Sequence, residues 1–482
     1  MAGIGFALRY LMRKEGLWAI LESQLHGIIA VAGPWFFTIL AMALPSLLFG
    51  RSGDVTTSEF VTLLLYVFSI SLTLTSPIAI GLTRHVSDCM YQRRTDEVAA
   101  SFIGALLLGF AAMIPVAAFG LYALDLPLET RLHALTAYAL VTINWIAAPM
   151  LSTIRQFRAL TVAYAVGTGV FWVYLRRNLN LEVANLLIGF NLGMAVTNAG
   201  ICGLVLHNFP GKLNPLFGLL ASFRKYWDLI LGGFLYGAGI WADKWLMWRA
   251  PEHVTIRGGL VAYPTYDTVV FIAYITTVPA LALFIIKAET SFHESCDNLY
   301  TSIQRHGDFT RLRIARERII RTFLSAARDV GLLQLCITAL ILLLPTLILD
   351  AVNLPQTGVF MFRFCTLGAA FQSGVLMLSI VLHYFDSRRT VLAINALFLL
   401  TNLLFSWISL QWGLKWYGFG YFLAAITTFT VAYVLVNVAF RDMLYLAFVR
   451  QNAAVNDGPQ EAVAQTLVFA AKVSPGPLQR QT

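Results

Sequence analysis

VLAINALFLLTNLLFSWISL, residues 391–410, runs for 20 positions without one charged side chain. A helix rises about 1.5 Å per residue, so this stretch reaches roughly 30 Å, the thickness of a bilayer's hydrocarbon core. Residues 136–153 and 183–206 are charge-free in the same way. Working outward from them, twelve apolar stretches divide the chain, near 26–49, 59–82, 99–124, 132–153, 159–175, 183–206, 229–248, 268–287, 326–349, 358–382, 391–410 and 417–440. In hydrocarbon each backbone polar group needs a partner within the protein, and a helix supplies one. The fold class that follows is an all-α polytopic membrane protein with twelve transmembrane helices in two six-helix bundles.

Composition agrees. Of 482 residues, 58% are hydrophobic and 12% charged, and mean hydropathy is +0.71, far from the balance of a soluble domain. The net charge of +9 would point to nucleic acid in a soluble protein. Here its placement points elsewhere. With the N-terminus inside, 25 of the 34 Lys and Arg fall on inner segments or inner span edges, among them Arg84, Arg93, Arg94, Arg155, Arg158, Arg224, Lys225, Lys287, Arg328, Arg388 and Arg389. Outer loops hold seven: Arg51, Arg131, Arg176, Arg177, Arg249, Arg257 and Lys415. Basic residues mark the cytoplasmic side of a membrane protein, so both termini are expected in the cytosol, with no nucleic-acid partner. Cys89 and Cys296 then fall in cytosolic loops, where thiols stay reduced. The five cysteines show no pairing pattern, and no signal-peptide cleavage pattern precedes the first span.

Six spans precede the connector 207–228, so spans one and seven share a direction. Two six-helix units, 26–206 and 229–440, would be parallel repeats about an axis along the membrane normal. Residues 1–25 mix Phe6, Leu11, Leu17 and Trp18 with Arg9, Arg13 and Lys14, which suits an amphipathic helix lying in the interface. The cytoplasmic loop 288–325 carries Arg311, Arg313, Arg316, Arg318 and Arg321 on an expected helix, either facing anionic lipid or docking a partner. The tail 441–482 is rich in Ala, Gln, Pro and Gly toward its end and is expected to be partly disordered.

Enzyme signatures are missing. Gly211-Lys212 lacks the glycine and Ser/Thr of a phosphate-binding loop, no Asp-x-Asp pair occurs, and neither H-E-x-x-H nor G-x-S-x-G is present. The eight histidines show no ligand spacing, so no metal, cofactor or catalytic group is expected. Transport is favoured over catalysis.

The seventh span is the least ordinary. Asp243 and Lys244 lie some 21 Å along its axis at about 1.5 Å per residue, in the outer third of the membrane. Ionisable groups at that depth are usually paired or face a cavity. Trp241, Trp245 and Trp248 make one stripe at helical spacing. It reads either as an aromatic belt with the charges snorkelling outward or as a sugar-binding face. Gly233 and Gly237 form a small-xxx-small pair for close helix packing. Arg363 lies about five residues into the tenth span, where snorkelling is the simpler account. Asn144, Asn191, Asn198 and Gln372 are uncharged polar groups at mid-membrane depth, favoured as interhelical ties over substrate ligands. Pro34, Pro77, Pro115, Pro149, Pro279 and Pro345 interrupt helix hydrogen bonding within spans.

Several short motifs resemble one family. They are MAGIGF-x-LR at the start, Gly33-Pro34-Trp35, Thr83-Arg84-His85-Val86-Ser87-Asp88, the run from Gly239 through Trp241, Asp243, Lys244 and Trp245, and Tyr263-Pro264-x-Tyr266-Asp267. Pro279-Ala280, Glu289-Thr290-x-Phe292 and Tyr384-Phe385-Asp386-x-Arg388-Arg389 continue the series to about residue 440. In order and spacing the chain resembles the Pel exopolysaccharide inner-membrane transporter family, the G component of that system (PelG). The resemblance implies membership of the multidrug/oligosaccharidyl-lipid/polysaccharide (MOP) exporter superfamily and passage of an amino-sugar polymer across the bacterial inner membrane for biofilm matrix. It also implies a cytoplasmic glycosyltransferase and further inner-membrane components as partners, including a cyclic-di-GMP receptor. Substrate-path candidates are Asp243, Lys244, Trp241, Arg84 and Arg363, with Asp267 at the outer mouth. A flippase for lipid-linked oligosaccharide or another lipid is the alternative; a membrane glycosyltransferase and a structural scaffold are more distant ones.

Overall fold

The computed structural model describes residues 55–445, except 154–156, 179–181, 212–215, 306–307 and 353, together with Leu44, Pro45 and Leu48. The expected interfacial helix at 1–25, nearly all of the first span and the tail beyond 445 lie outside the described residues, as do the side chains of Arg155 and Arg158. Five long helices come first: α1 (Val55–Tyr91), α2 (Val98–Tyr122), α3 (Leu128–Thr153), α4 (Phe157–Arg177) and α5 (Val183–Asn208). The short α6 (Leu219–Lys225) leads into α7 (Trp227–Met247) and a two-stranded antiparallel hairpin, β1 (Val254–Ile256) and β2 (Leu260–Ala262). There follow α8 (Pro264–Ile275), α9 (Val278–Lys287), α10 (His293–Gln304), α11 (Phe309–Leu343), α12 (Pro345–Ala351), α13 (Val359–Tyr384), α14 (Arg388–Trp412) and α15 (Phe419–Arg441).

Ten described helical segments are long and apolar enough to cross a membrane. The expected first span, of which only Leu44, Pro45 and Leu48 are described, is not one of the ten. The seventh, α7, forms a 21-residue helix, but its glycines, tryptophans and charge pair leave it less apolar than the ten. The expected loop 288–325 is helical: a π-turn over Ala288–Phe292 joins α9 to α10, and α11 begins at Phe309. Cys89 and Cys296 accordingly sit in helices, both buried, rather than in loops. Asp308 caps α11 by accepting from the Arg311 amide at 3.3 Å. Its 35 residues make one rod about 52 Å long, so the arginine segment and the ninth span are continuous.

The prolines divide by position. Pro77, Pro115 and Pro149 lie inside α1, α2 and α3, whereas Pro264, Pro279 and Pro345 occupy the first turns of α8, α9 and α12. Proline lacks an amide hydrogen that a first turn does not need, and its fixed φ suits a helix start. The eighth span is therefore broken at Thr276–Thr277, where both hydroxyls donate to main-chain carbonyls at Ala273 (2.7 Å) and Tyr274 (2.8 Å).

Neighbour relations sort the described helices into two sets. In the first, α1 packs on α2 and α3, α3 on α5, and α5 on α4; in the second, α7 packs on α14, α14 on α15, α15 on α13, and α8 and α11 on α13. The sets meet chiefly where α1 lies along α7. Glycine on two faces of α7 permits both contacts. A Cβ on Gly233 would stand 2.3 Å from Ile80 of α1, and one on Gly239 2.8 Å from the Phe398 ring of α14.

Asparagines tie neighbouring helices by the same device in each set. The Nδ2 groups of Asn191 and Asn198 on α5 donate to the carbonyls of His133 (2.9 Å) and Leu140 (2.7 Å) on α3. Those of Asn395 and Asn402 on α14 donate to Gly232 (3.0 Å) and Gly239 (2.9 Å) on α7. In each case donors and acceptors are seven residues apart, two turns that return to one face. Asn144 accepts from the Tyr164 hydroxyl at 2.7 Å. These groups are interhelical ties, as the sequence favoured.

Candidate functional site

Asp243 is fully buried and Lys244 is 5% exposed. Adjacent residues on a helix point about 100° apart, so the pair closes only because the lysine stem bends back. Its Nζ donates to the Ile240 carbonyl at 2.7 Å and to the Asp243 oxygens at 3.1 and 3.2 Å. Asp243 also accepts from the Tyr266 hydroxyl (2.9 Å, α8) and from Asn402 Nδ2 (3.3 Å, α14). The ammonium stands 5.0 Å from the Tyr274 ring centroid, 5.7 Å from Trp241 and 5.8 Å from Tyr421. Gln372 on α13 accepts from both Tyr274 (3.2 Å) and Tyr421. A charge pair at this depth is stable only when each atom is satisfied, and here α8, α14 and α15 furnish partners while α13 holds two of the rings through Gln372. The pair is enclosed within the second helix set, neither snorkelling to a surface nor facing lipid.

The tryptophan stripe lies along the contact with α1. Trp241 is buried in the core cluster that holds Phe60, Val67 and Phe68 of α1, and its Nε1 has no hydrogen-bond partner among the described residues. Trp248 stacks on Tyr66 of α1 with centroids 4.6 Å apart and planes 13° off parallel. Its indole N–H reaches both oxygens of Asp267, at 3.1 and 3.0 Å. Asp267 lies buried in the first turn of α8, where the helix dipole favours a carboxylate. The hairpin completes this end: the Tyr66 hydroxyl donates to the Val261 carbonyl (2.8 Å) and the Asp125 amide to the Gly258 carbonyl (3.0 Å). Gly258 has φ of +80°, and a Cβ there would meet Leu126 at 2.4 Å, so the turn needs glycine both for its conformation and for the close approach. Burial, then the Glu252 carboxylate, push the neighbouring Tyr263 phenol up to about 12.

Arg84 belongs to the opposite end of α1. It pairs with Asp88 one turn on (3.5 Å) and stands 4.8 Å over the Tyr226 ring. The Tyr226 hydroxyl donates to Asp88 at 2.6 Å. Arg388 and Lys225 approach the same ring, at 5.1 and 4.9 Å. Arg388 also pairs with Asp228 (3.3 Å) and Asp386 (3.1 Å). Arg363 is exposed on α13, with no ion pair among the described residues. The six candidates therefore divide: Asp243, Lys244 and Trp241 together, Asp267 close by through Tyr266 and Trp248, Arg84 at the far end, and Arg363 apart.

Beside the Tyr226 end a shallow, open apolar recess of about 450 Å³ lies where α1, α6 and α7 meet, lined among the described residues by Pro77, Phe223, Trp227, Ile230, Leu231 and Phe234. Among the described residues one group of side chains, His85, Cys89 and Glu97, brings together ligand atoms of the kind that bind metal. Sequence reading missed Tyr226, Asp228, Tyr266, Tyr274, Asn402 and Tyr421. Tyr266 stood inside a quoted motif; the others carried no local signal.

A family model for PelG, described as an exopolysaccharide exporter (EPS-E), matches residues 1–448. Among solved structures, an outward-facing MATE multidrug-resistance transporter of the MOP superfamily superposes with a TM-score of 0.60 at 15% identity, covering 92% of this chain and 99% of that one. An inward-facing MATE transporter gives 0.56 at 15% identity, over 84% and 95%. A MOP superfamily transporter from Pyrococcus furiosus gives 0.58 at 14% identity, over 87% and 95%. No curated protein matches the chain. At such identities the likeness to solved structures speaks for the fold alone, and both family and fold are those of transporters.

Proposed function

The chain belongs to the PelG family of exopolysaccharide exporters, and from that premise we propose that it carries an amino-sugar polymer from cytoplasm to periplasm across the bacterial inner membrane, in the service of biofilm matrix. The observation that carries the reading is the family match over nearly the whole chain, on a fold shared with MOP transporters. Twelve crossings in two six-helix bundles, 26–206 and 229–440, put both termini in the cytoplasm by the distribution of basic residues. Arg84 then belongs to the inner mouth, with Asp88 and Tyr226, and Asp267 with Trp248 to the outer mouth. Asp243, Lys244 and Trp241 form the wall between them, and Arg363 lies at the outer edge. A cytoplasmic glycosyltransferase supplies polymer, and Pel inner-membrane components, a cyclic-di-GMP receptor among them, complete the assembly. Deleting the chain is expected to abolish periplasmic polymer while leaving sugar-nucleotide consumption measurable in membranes; export at normal levels would refute the reading.

One observation favours the alternative of a lipid-linked cargo. The recess lined by Pro77, Phe223 and Trp227 is apolar, which suits an acyl or polyprenyl chain better than a sugar. Photo-crosslinking from Trp227 to a polyprenyl-linked sugar, competed by unlabelled lipid, would support that cargo; no labelling would dismiss it.

A further inference from the structure

His85 and Cys89 lie one turn apart on α1, both buried, on a face next to that of Arg84 and Asp88. After Tyr91 the chain reverses through Arg93, whose φ is +60°, and a 3-10 turn over Thr95–Glu97 returns Glu97 beside them. The ligand atoms of the three side chains all lie within 4.8 Å of one another. We propose that His85, Cys89 and Glu97 form a zinc site with three protein ligands and a water-held fourth position.

Geometry, orientation and donor chemistry each support this. Cys89 Sγ and His85 Nε2 are 3.5 Å apart. Zn–S and Zn–N bonds of about 2.3 and 2.05 Å at a tetrahedral angle require an edge of roughly 3.6 Å. The other ring nitrogen, Nδ1, is held at 2.8 Å by Ser222 Oγ of α6. A partner on the far nitrogen is what orients a ligating imidazole and leaves Nε2 facing the metal. Thiolate, imidazole and carboxylate together suit zinc rather than magnesium or calcium. Arg94 meets both Glu97 oxygens, at 3.1 and 3.3 Å; ligation through one oxygen leaves the other for the guanidinium. Binding would deprotonate the Cys89 thiol, the proton passing to solvent. The metal would then tie the end of α1 to the turn before α2, and through Ser222 to α6.

The test uses the purified full chain in detergent with cobalt as a spectroscopic probe for zinc. One cobalt per chain is expected, with near-ultraviolet thiolate-to-cobalt absorption that zinc abolishes. The band should persist when Cys202, Cys296, Cys336 and Cys365 are all replaced by Ser, and vanish in C89S and H85Q chains that still elute as the wild type does. No thiolate band in the wild type, or a band that survives C89S, overturns the proposal.

Discussion

The two helix sets are held together at both ends of α1, by different physics. At the Trp248 end the join is a stacked ring pair, an indole bonded to a buried carboxylate, and two hydrogen bonds accepted by main-chain carbonyls of the hairpin. At the Tyr226 end it is a knot of charges around one phenol, and its members are partly wet: side-chain exposure is 41% for Arg84 and 26% for Asp88 and for Arg388. Buried aromatic contacts hold their strength in salt, whereas exposed ion pairs contribute little each and are screened. The Tyr226 end is thus expected to be the weaker and more adjustable closure, with the Trp248 end as the hinge.

Between those ends α7 carries the buried Asp243–Lys244 pair, bonded to Tyr266 of α8 and Asn402 of α14. Asp243→Ala leaves a buried ammonium without its counterion, a change that destabilises by about 3–5 kcal/mol. The expected result is a large drop in thermal midpoint and in membrane yield. Replacing both charges at once, Asp243→Leu with Lys244→Met, is expected to restore most of the loss, because well-packed apolar groups match a buried pair. If the double variant melts no higher than the single one, the pair contributes something beyond mutual neutralisation, and the wall assignment changes.

At the aromatic end Trp248→Phe keeps a ring against Tyr66 but removes the indole N–H from Asp267. A buried acceptor deprived of a donor typically destabilises by about 1–3 kcal/mol. The melt should fall by a similar amount at low and high salt. A salt-dependent loss would mean that this end is not the dry one.

How far the chain could be read without coordinates follows from what is local. Spans announce themselves through continuous apolar runs, and the ten apolar helices fall where those runs lie. The paired glycines 233 and 237 identified a close contact, and the structure sets α1 against them. The surroundings of Lys244 were illegible for the opposite reason: Tyr266, Tyr274, Gln372, Asn402 and Tyr421 come from four other helices, and no spacing rule links them to Asp243. The tryptophan stripe was legible as a stripe but not as to its partner, because a ring that packs on α1 and one that packs on sugar obey the same period. Arg84 reads in the sequence as a topology charge and path candidate and Arg388 as a topology charge alone, and neither reading reveals that both stand over the Tyr226 ring. Proline was ambiguous until its position in each helix was known.

The smallest effect belongs to the Tyr226 end and distinguishes the two closures most directly. Tyr226→Phe keeps the ring beneath Arg84 and Arg388 but removes the hydroxyl that bonds Asp88, a change of about 0.5–1.5 kcal/mol. Stability should barely move. Hydrogen exchange over 219–230 should quicken, and quicken again as salt rises from about 0.1 M to 1 M, where the screening length falls from roughly 10 to 3 Å. Exchange over 245–267 should change much less in the same samples, since among the described residues ring stacking and buried hydrogen bonds hold that end, and Arg257 acts on Glu59 through its charge. Equal acceleration at both ends would mean that the helix sets loosen as one body, and the assignment of hinge and adjustable closure to opposite ends of α1 would fall.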